Sequence, residues 1–238
     1  MFALDYALWF DFLLPGLDLL GIPMPLGGTS NHFRIEALRA IHGWDPFNVT
    51  EDADIGIRLA RHGLRVQTLD STTFEEATNR LPNWLRQRTR WLKGYMQTWL
   101  VHMRNPRALL RNAGAAGFFG FQLFVGGTVL SALLNPLLWS IFVLSYFIDL
   151  PVAGFSGNVH SLSAFGLLTG NALFAYLAML GPYRRRWLDL SPFALAVPLY
   201  WLLISIAAYR ALWQLLRDPW HWEKTPHGTS RMFDGSEA

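Results

Sequence analysis

The chain has 238 residues and a formal net charge of +3; 52% of its residues are hydrophobic and none is cysteine, which excludes disulfides and thiolate chemistry. Residues 1–113 carry 13 Lys or Arg and 11 Asp or Glu, whereas residues 114–183 carry no Lys or Arg and a single acid, Asp149. This division indicates a membrane protein rather than a large soluble core, and because the cations lie near the ends of apolar runs, they are typical of interfacial anchors rather than of a nucleic-acid surface.

The first predicted element is an amphipathic helix over residues 2–14. Apolar side chains recur there at helical spacing beside acidic ones, a pattern that suits a helix lying on a membrane surface or covering a core. Pro15-Gly16 and the segment from Gly21 to Pro25 predict breaks in this helix.

A flexible polar turn follows at Gly27-Gly28-Thr29-Ser30-Asn31. Its glycines allow the backbone to come close to whatever occupies a neighbouring cleft. On these residues alone, a plain connecting turn is the alternative.

A second amphipathic helix is predicted from Asp52 to Arg61, with Gly63 as its C-terminal stop. Thr50-Glu51-Asp52 therefore stands at a helix N-terminus. There, acids complement the helix dipole and Thr50 can cap the helix, or Asp52 can serve as a catalytic base; the spacing alone leaves both open. Residues 64–69 are predicted to form a short apolar strand.

From residue 81 the pattern is helical again, with Pro82 suited to the first turn. Gln87, Arg90 and Trp91 are spaced i, i+3, i+4 and share one face, and Arg88 lies on an adjoining stripe. So many aromatic and cationic side chains suit a membrane interface. The same residues also suit substrate binding, because Arg can clamp a diphosphate and Trp can stack on a sugar ring.

Three apolar runs follow. Residues 118–148 form either one long kinked span or two short spans in a hairpin, since Asn135-Pro136 interrupts them. Residues 162–180 form a clear span, and residues 193–213 form another, with a kink expected at Pro198. Arg184-Arg185-Arg186 must lie outside the bilayer. Three to four membrane spans are predicted. Four are preferred, because an even number of crossings places the C-terminal tail on the same side of the membrane as the soluble residues before the first span.

The tail beyond residue 217 is too polar to span a membrane and too aromatic for a plain solvated end. His221, Glu223 and His227 are candidate metal ligands, but neither cysteine nor helical HExxH spacing supports a metal there. We predict no metal site in this chain.

The chain resembles the membrane-embedded family 2 glycosyltransferases in four segments that are followed by membrane spans: Gly27 to Asn31, Gly43-Trp44-Asp45, Thr50-Glu51-Asp52 and Gln87-Arg88-Thr89-Arg90-Trp91. These include the cellulose, chitin, hyaluronan and poly-N-acetylglucosamine synthases. The resemblance covers about residues 20–215. It implies an α/β fold plus transmembrane helices: a partial, acceptor-side GT-A-like domain with an interfacial helix (residues 1–113), a bundle of three to four spans (114–216) and a cytosolic tail (217–238).

The resemblance also assigns roles to individual residues. Asp52 would be the general base that deprotonates the acceptor hydroxyl, with Glu51 and Thr50 orienting it. Donor diphosphate and acceptor would be held by Gln87, Arg88, Arg90 and Trp91, with Gly28, Thr29 and Ser30 lining the substrate side. In the tail, Trp222, Lys224 and Thr225 are similar in composition and place to the gating loop of cellulose synthase.

One departure from the family pattern is that no DxD motif precedes the Thr50-Glu51-Asp52 element. Asp52-Ala53-Asp54 fits the letters but lies inside the base motif. The chain thus resembles the C-terminal part of a longer enzyme, inactive alone, whose full form uses Mg²⁺ or Mn²⁺. The implied partners are a nucleotide sugar, with UDP-glucose or UDP-N-acetylglucosamine as defaults, a glycan acceptor and the lipid bilayer.

The implied location is a membrane, taken as the bacterial inner membrane, with the catalytic part cytosolic. Two other classes remain open. One is a non-catalytic channel or partner subunit for polysaccharide synthesis or export. The other is a transporter unrelated to sugars, for which charges inside the membrane are expected; residues 114–183 offer only Asp149.

Overall fold

The computed structural model of the chain describes residues 1–145, 147 and 157–224. They form α-helices, a 3-10 helix at Leu188–Ala196 and irregular segments. Two short π-helical segments, called π turns below, join α-helices at Trp9–Leu13 and Gln122–Gly126. The α-helices are α1 Phe2–Leu8, α2 Leu14–Leu19, α3 Ile35–Ala40, α4 Glu51–Arg61, α5 Leu81–His102, α6 Pro106–Phe121, α7 Gly127–Leu144, α8 Gly157–Arg184 and α9 Val197–Arg217.

The predicted α/β, GT-A-like fold is wrong, because the described residues contain no β-strand. Residues 64–69, predicted as a strand, are irregular. Their backbone groups are used elsewhere: Leu64 N donates to Leu59 O at the end of α4, and Thr68 N donates to Asp18 Oδ2 at 2.8 Å. A strand needs a neighbouring strand to pair its backbone, and this segment is tied to a helix end and a side chain instead.

Of the two predicted breaks, the one at Pro15-Gly16 is wrong, whereas the helix does end before Gly21, whose φ is +64°. The chain stays helical from Phe2 to Leu19 through the π turn, and Pro15 lies in the first turn of α2. Proline is tolerated there because the missing N–H would have no helical partner in a first turn.

Residue contacts divide the chain into two compact units. The first consists of Met1–Phe12 and Leu130–Ile206, and the second of Leu13–Val129 and the described residues from Ala207 onward. The functional domain boundaries predicted at residues 113 and 216 stay a prediction.

In the first unit, the acids of α1 and the π turn pair with later residues. Asp11 accepts two hydrogen bonds from Arg185, at 2.5 and 2.6 Å, and Tyr200 Oη donates to Asp5 Oδ2 at 3.1 Å. These contacts explain why an otherwise apolar N-terminal helix carries carboxylates: they accept from groups of the same unit.

In the second unit, α4, α5 and α6 pack around a buried cluster of Ile57, Leu109, Phe121 and Val125. The helix predictions are confirmed here: α4 begins at Glu51 and is closed by Gly63, whose φ of +71° suits glycine. α5 begins at Leu81 with proline in its first turn and runs for 22 residues.

Three helices of the described chain are long and apolar enough to cross a membrane: Pro106–Leu144, Ser161–Arg184 and Leu188–Arg217. The first of these helices, Pro106–Leu144, contains Gly114, which has a non-helical φ of +72°. After that residue it continues through Asn135 and Pro136, so the hairpin alternative is wrong. The number of candidate spans, three, is the lower of the two predicted numbers, and the described residues do not supply the preferred fourth span. Pro198 is the second residue of α9, directly after the 3-10 helix, and the expected kink there stays a prediction.

Candidate functional site

The loop that precedes α4 is fastened to α5 by side-chain hydrogen bonds. Val49 N donates to Gln97 Oε1 at 3.1 Å, and Asn48 Nδ2 donates to Thr98 Oγ1 at 2.7 Å. Asn48 Oδ1 in turn accepts from Thr50 N at 3.0 Å. A rigid helix, rather than a free loop, therefore sets the position of the acidic turn that follows.

The close approach of this loop to α5 requires a glycine. A Cβ built on Gly94 would overlap the side chain of Thr50, and both residues are buried. Thr50 is the N-cap residue of α4, yet its side chain makes no capping hydrogen bond. The capping role proposed for the Thr50 side chain is thus wrong, and that side chain packs against α5 instead.

Asp52 is half-buried at the start of α4 with its two carboxylate oxygens in different surroundings. Oδ1 accepts from Ala53 N at 2.8 Å, while Oδ2 faces the glycine turn, where a Cβ built on Gly28 would lie 3.1 Å away. Burial raises the pKa of Asp52, the charge of Glu51 raises it further, and the bond from Ala53 and the charge of Arg90 oppose the rise. A carboxylate with raised proton affinity suits a general base.

This raised pKa leads to a prediction for the pH dependence of activity. If Asp52 is the base that the resemblance implies, it works as the carboxylate, so activity should fall as the pH drops through the pKa of Asp52. Since that pKa is raised, the acid limb of kcat/KM should lie above the ordinary aspartate value of about 3.9. A pH profile whose acid limb falls at or below the ordinary value would contradict this environment for Asp52.

One residue of the Gln87 to Trp91 segment contacts the loop that leads into this acidic turn. Arg90 Nη1 donates to Val49 O at 3.3 Å. The Arg88 guanidinium lies 4.5 Å from the ring centroid of Trp91 and 5.8 Å from that of Trp84, which is cation–π geometry. The structure therefore brings the two sequence motifs together, although about forty residues separate them.

Among the buried polar atoms of this segment without a hydrogen-bond partner in the structure are Gln87 Oε1 and Thr89 Oγ1. Gln87 is 8% exposed and Thr89 is fully buried. Buried polar groups are nearly always satisfied, so Gln87 Oε1 is a candidate to accept a hydrogen bond from a ligand or water.

Sequence reasoning missed Tyr95 as a site residue. Burial raises the pKa of Tyr95, and the charge of Asp52 raises it further, so the phenol lies within electrostatic reach of the candidate base. Its position one helical turn after Trp91 was the available signal. At this pKa the phenol stays protonated at neutral pH and can act as a hydrogen-bond donor.

Among the three predicted binding residues of the glycine turn, Gly28 lies at the candidate base. Gly28 faces Asp52, but Thr29 is exposed. The Ser30 Oγ atom lies 2.6 Å from Thr73 Oγ1, so that hydroxyl is engaged by the loop after residue 70.

The tail segment, defined here as Pro219–Lys224, lies against α5. Gln97 Nε2 donates to Pro219 O at 2.9 Å, and the buried Lys93 ammonium donates to His221 O. Lys224 Nζ lies 5.8 Å from the exposed Trp222 ring, and Thr225 lies outside the described residues. Sequence reasoning assigned the tail a role but did not find Lys93 or Gln97, which hold it.

Asp54 forms a buried pair with His102 that sequence reasoning also missed. His102 Nε2 lies 2.9 Å from Asp54 Oδ1, both side chains are almost fully buried, and Arg61 Nη1 lies 3.0 Å from His102 Nδ1. They line a pocket of about 350 Å³. Because these polar groups engage one another, the arrangement joins α4 to the end of α5 rather than calling for a ligand.

The expected divalent cation finds no ligand set in the described chain. Asp54, the second acid of Asp52-Ala53-Asp54, is engaged by His102, and no group of three or more His, Asp or Glu among the described residues could hold a metal ion. The described residues therefore do not fit the metal.

A model of glycosyl transferase family group 2 matches residues 2–217. The chain is 28% identical over 146 residues to a probable glycosyltransferase of Bacillus subtilis, covering 59% of this chain and 33% of that protein. It is 35% identical over 81 residues to the beta-monoglucosyldiacylglycerol synthase of Synechocystis, covering 33% and 17%, and 32% identical over 82 residues to a probable glycosyltransferase of Sulfolobus acidocaldarius, covering 34% and 18%. The chain thus spans a third or less of these relatives' lengths. No solved structure matches.

Proposed function

Because this chain belongs to glycosyl transferase family group 2, which transfers sugars, we propose that it carries the acceptor and catalytic-base part of an inverting membrane glycosyltransferase. The acceptor is a growing β-linked polysaccharide, as in the cellulose and chitin synthases that the motifs resemble. The observation that supports this most is the meeting of the two motifs, in which α5 holds residues 48–50 by Arg90, Gln97 and Thr98.

In this proposal, Asp52 takes the proton of the acceptor hydroxyl as that oxygen attacks the anomeric carbon of the nucleotide sugar. The new glycosidic bond forms as the bond to the nucleoside diphosphate breaks, with inversion to a β-linkage. Arg88 and Arg90 bind the negatively charged diphosphate, and Trp91 stacks on the acceptor sugar. Gln87, whose Oε1 has no partner in the structure, accepts a hydrogen bond from the substrate.

We propose that the donor-binding part lies outside this chain. The absence of a DxD motif before Glu51 and the small share of each relative that the chain covers support this. The donor is then a nucleotide sugar, with UDP-glucose and UDP-N-acetylglucosamine as first candidates, and Mg²⁺ or Mn²⁺ is bound by the full-length enzyme. The chain alone would be inactive.

The proposed location is a membrane, in bacteria the inner membrane, with the catalytic part in the cytosol. The three helices long and apolar enough to span a bilayer support this. Their outward-facing apolar side chains, such as Leu123, Leu130 and Leu138, suit contact with lipid tails.

A second candidate is transfer to a lipid acceptor. It is favoured by the similarity to a protein named beta-monoglucosyldiacylglycerol synthase. Both functions use the same base and the same donor, and they differ in the hydroxyl that is deprotonated.

The test supplies membranes that contain the native full-length enzyme with radiolabelled UDP-glucose or UDP-N-acetylglucosamine and Mg²⁺. Polysaccharide synthesis should put the label into a water-soluble or insoluble polymer that a β-specific glycosidase degrades. Label that extracts into chloroform would instead support the lipid acceptor. No incorporation from either donor into any fraction would remove these donors from the proposal.

The tail segment is proposed as a gating loop that closes over the donor. Its contacts with α5 support this place for it. Lys224 is exposed and can then reach the donor phosphates, so Lys224→Ala should weaken donor binding by the full-length enzyme. Arg217→Ala, which removes an exposed cation just before the same segment, is the comparison and should keep wild-type donor affinity. Equal donor affinity in wild type and Lys224→Ala, measured by titration, would remove the gating role of Lys224.

A further inference from the structure

Gln97 holds two segments that are far apart in sequence. Its side chain is 7% exposed; Oε1 accepts from Val49 N at 3.1 Å, and Nε2 donates to Pro219 O at 2.9 Å. One amide thus connects the loop that precedes Asp52 with the tail segment.

The chemistry of the two segments requires an amide at this position. Val49 offers an N–H and needs an acceptor, whereas Pro219 has no N–H and offers a carbonyl that needs a donor. A glutamine supplies both from one planar group. In the reverse orientation the Gln97 NH₂ group would face Val49 N, and Oε1 would face Pro219 O. Neither pair can form a hydrogen bond, so the two contacts together fix the orientation of the amide.

The neighbours of Gln97 on α5 each contact one of the two segments. Thr98 accepts from Asn48 in the loop at 2.7 Å. Lys93, which is fully buried, donates to His221 O in the tail. The two segments can therefore be loosened separately: a substitution of Thr98 affects the loop, and a substitution of Lys93 affects the tail segment.

We propose that Gln97 is a positioning residue that couples the seating of the tail segment to the placement of the catalytic base. While the tail is seated, Pro219 O fixes the Gln97 amide, and the fixed amide holds Val49 and thereby the turn that carries Asp52. When the tail leaves, the amide loses this orientation and the turn loosens. Gln97 touches no substrate, and its role in catalysis rests on the proposed function.

The coupling is tested by hydrogen–deuterium exchange of the full-length enzyme in detergent. Lys93→Met removes only a tail contact, so exchange should rise in the tail and also, by several-fold, at residues 48–50. Gln97→Leu should raise exchange in both segments, and Thr98→Val should raise it at residues 48–50 with the tail unchanged. A Lys93→Met enzyme with a faster-exchanging tail and wild-type exchange at residues 48–50 would overturn the coupling.

Sugar transfer tests whether the coupling serves catalysis. Gln97→Leu should lower kcat, by roughly 10²-fold if the base is misplaced by about an ångström. Gln122→Leu, which removes an amide bonded to Trp99 on α5 but contacts neither segment, is the matched control and should keep wild-type kcat. Wild-type kcat in Gln97→Leu would refute the positioning role. The exchange experiment needs no activity, so it decides the coupling even if the proposed sugar transfer fails.

Discussion

Asp52→Asn is expected to reduce sugar transfer by the full-length enzyme roughly 10²- to 10⁴-fold, the range that a positioned base contributes. Asparagine keeps the shape of the side chain and can still accept from Ala53 N with its oxygen. It cannot take a proton from the acceptor hydroxyl. The measurement is kcat with saturating donor, because substrate binding does not depend on this proton transfer.

The same variant should remain folded. Burial raises the pKa of Asp52, so the folded state binds its proton more tightly than the unfolded state. Above that pKa, ionised Asp52 therefore lowers the free energy of unfolding, and a neutral amide removes the cost. We expect a thermal midpoint equal to or above that of wild type. A lower midpoint would mean that the loss of activity reflects unfolding rather than chemistry.

Asp54→Asn is expected to have the opposite effects. Asp54 is 1% exposed, accepts from buried His102 and lies 3.9 Å from Arg58 Nε. An asparagine at this position loses the negative charge that strengthens these contacts, and its NH₂ group must face either His102 or Arg58, which are both donors. The free energy of unfolding should therefore fall by roughly 1–3 kcal/mol. Transfer by the folded fraction should stay close to wild type, because Asp54 faces the end of α5 and not the base. The measurements are denaturant unfolding and kcat per folded molecule.

The sequence was sufficient for the helices that carry the site and for its two motifs. α4 and α5 could be predicted because their apolar periods, Gly63 and Pro82 are local signals. The match to a glycosyltransferase family confirms the coarse function. The roles of Asp52, Arg88 and Arg90 stay predictions, now with a geometry that supports them.

The remaining features depend on contacts between distant residues. Residues 64–69 have strand-like composition, but whether a strand forms depends on a partner strand, which the described chain does not provide. Gly94 looks like any helical glycine until Thr50 is placed against it. Asp54 looked like a possible metal ligand until His102, 48 residues later, proved to be its partner. No local pattern indicates such pairings.

The central claim is that Asp52, at the turn held by α5, is the catalytic base, and that its neighbour Asp54 is structural. The most direct test measures kcat and unfolding side by side for wild type, Asp52→Asn and Asp54→Asn in the full-length enzyme, with radiolabelled donor. We predict that Asp52→Asn loses transfer and keeps stability, while Asp54→Asn loses stability and keeps transfer per folded molecule. Equal transfer by Asp52→Asn and wild type would contradict the assignment of the base.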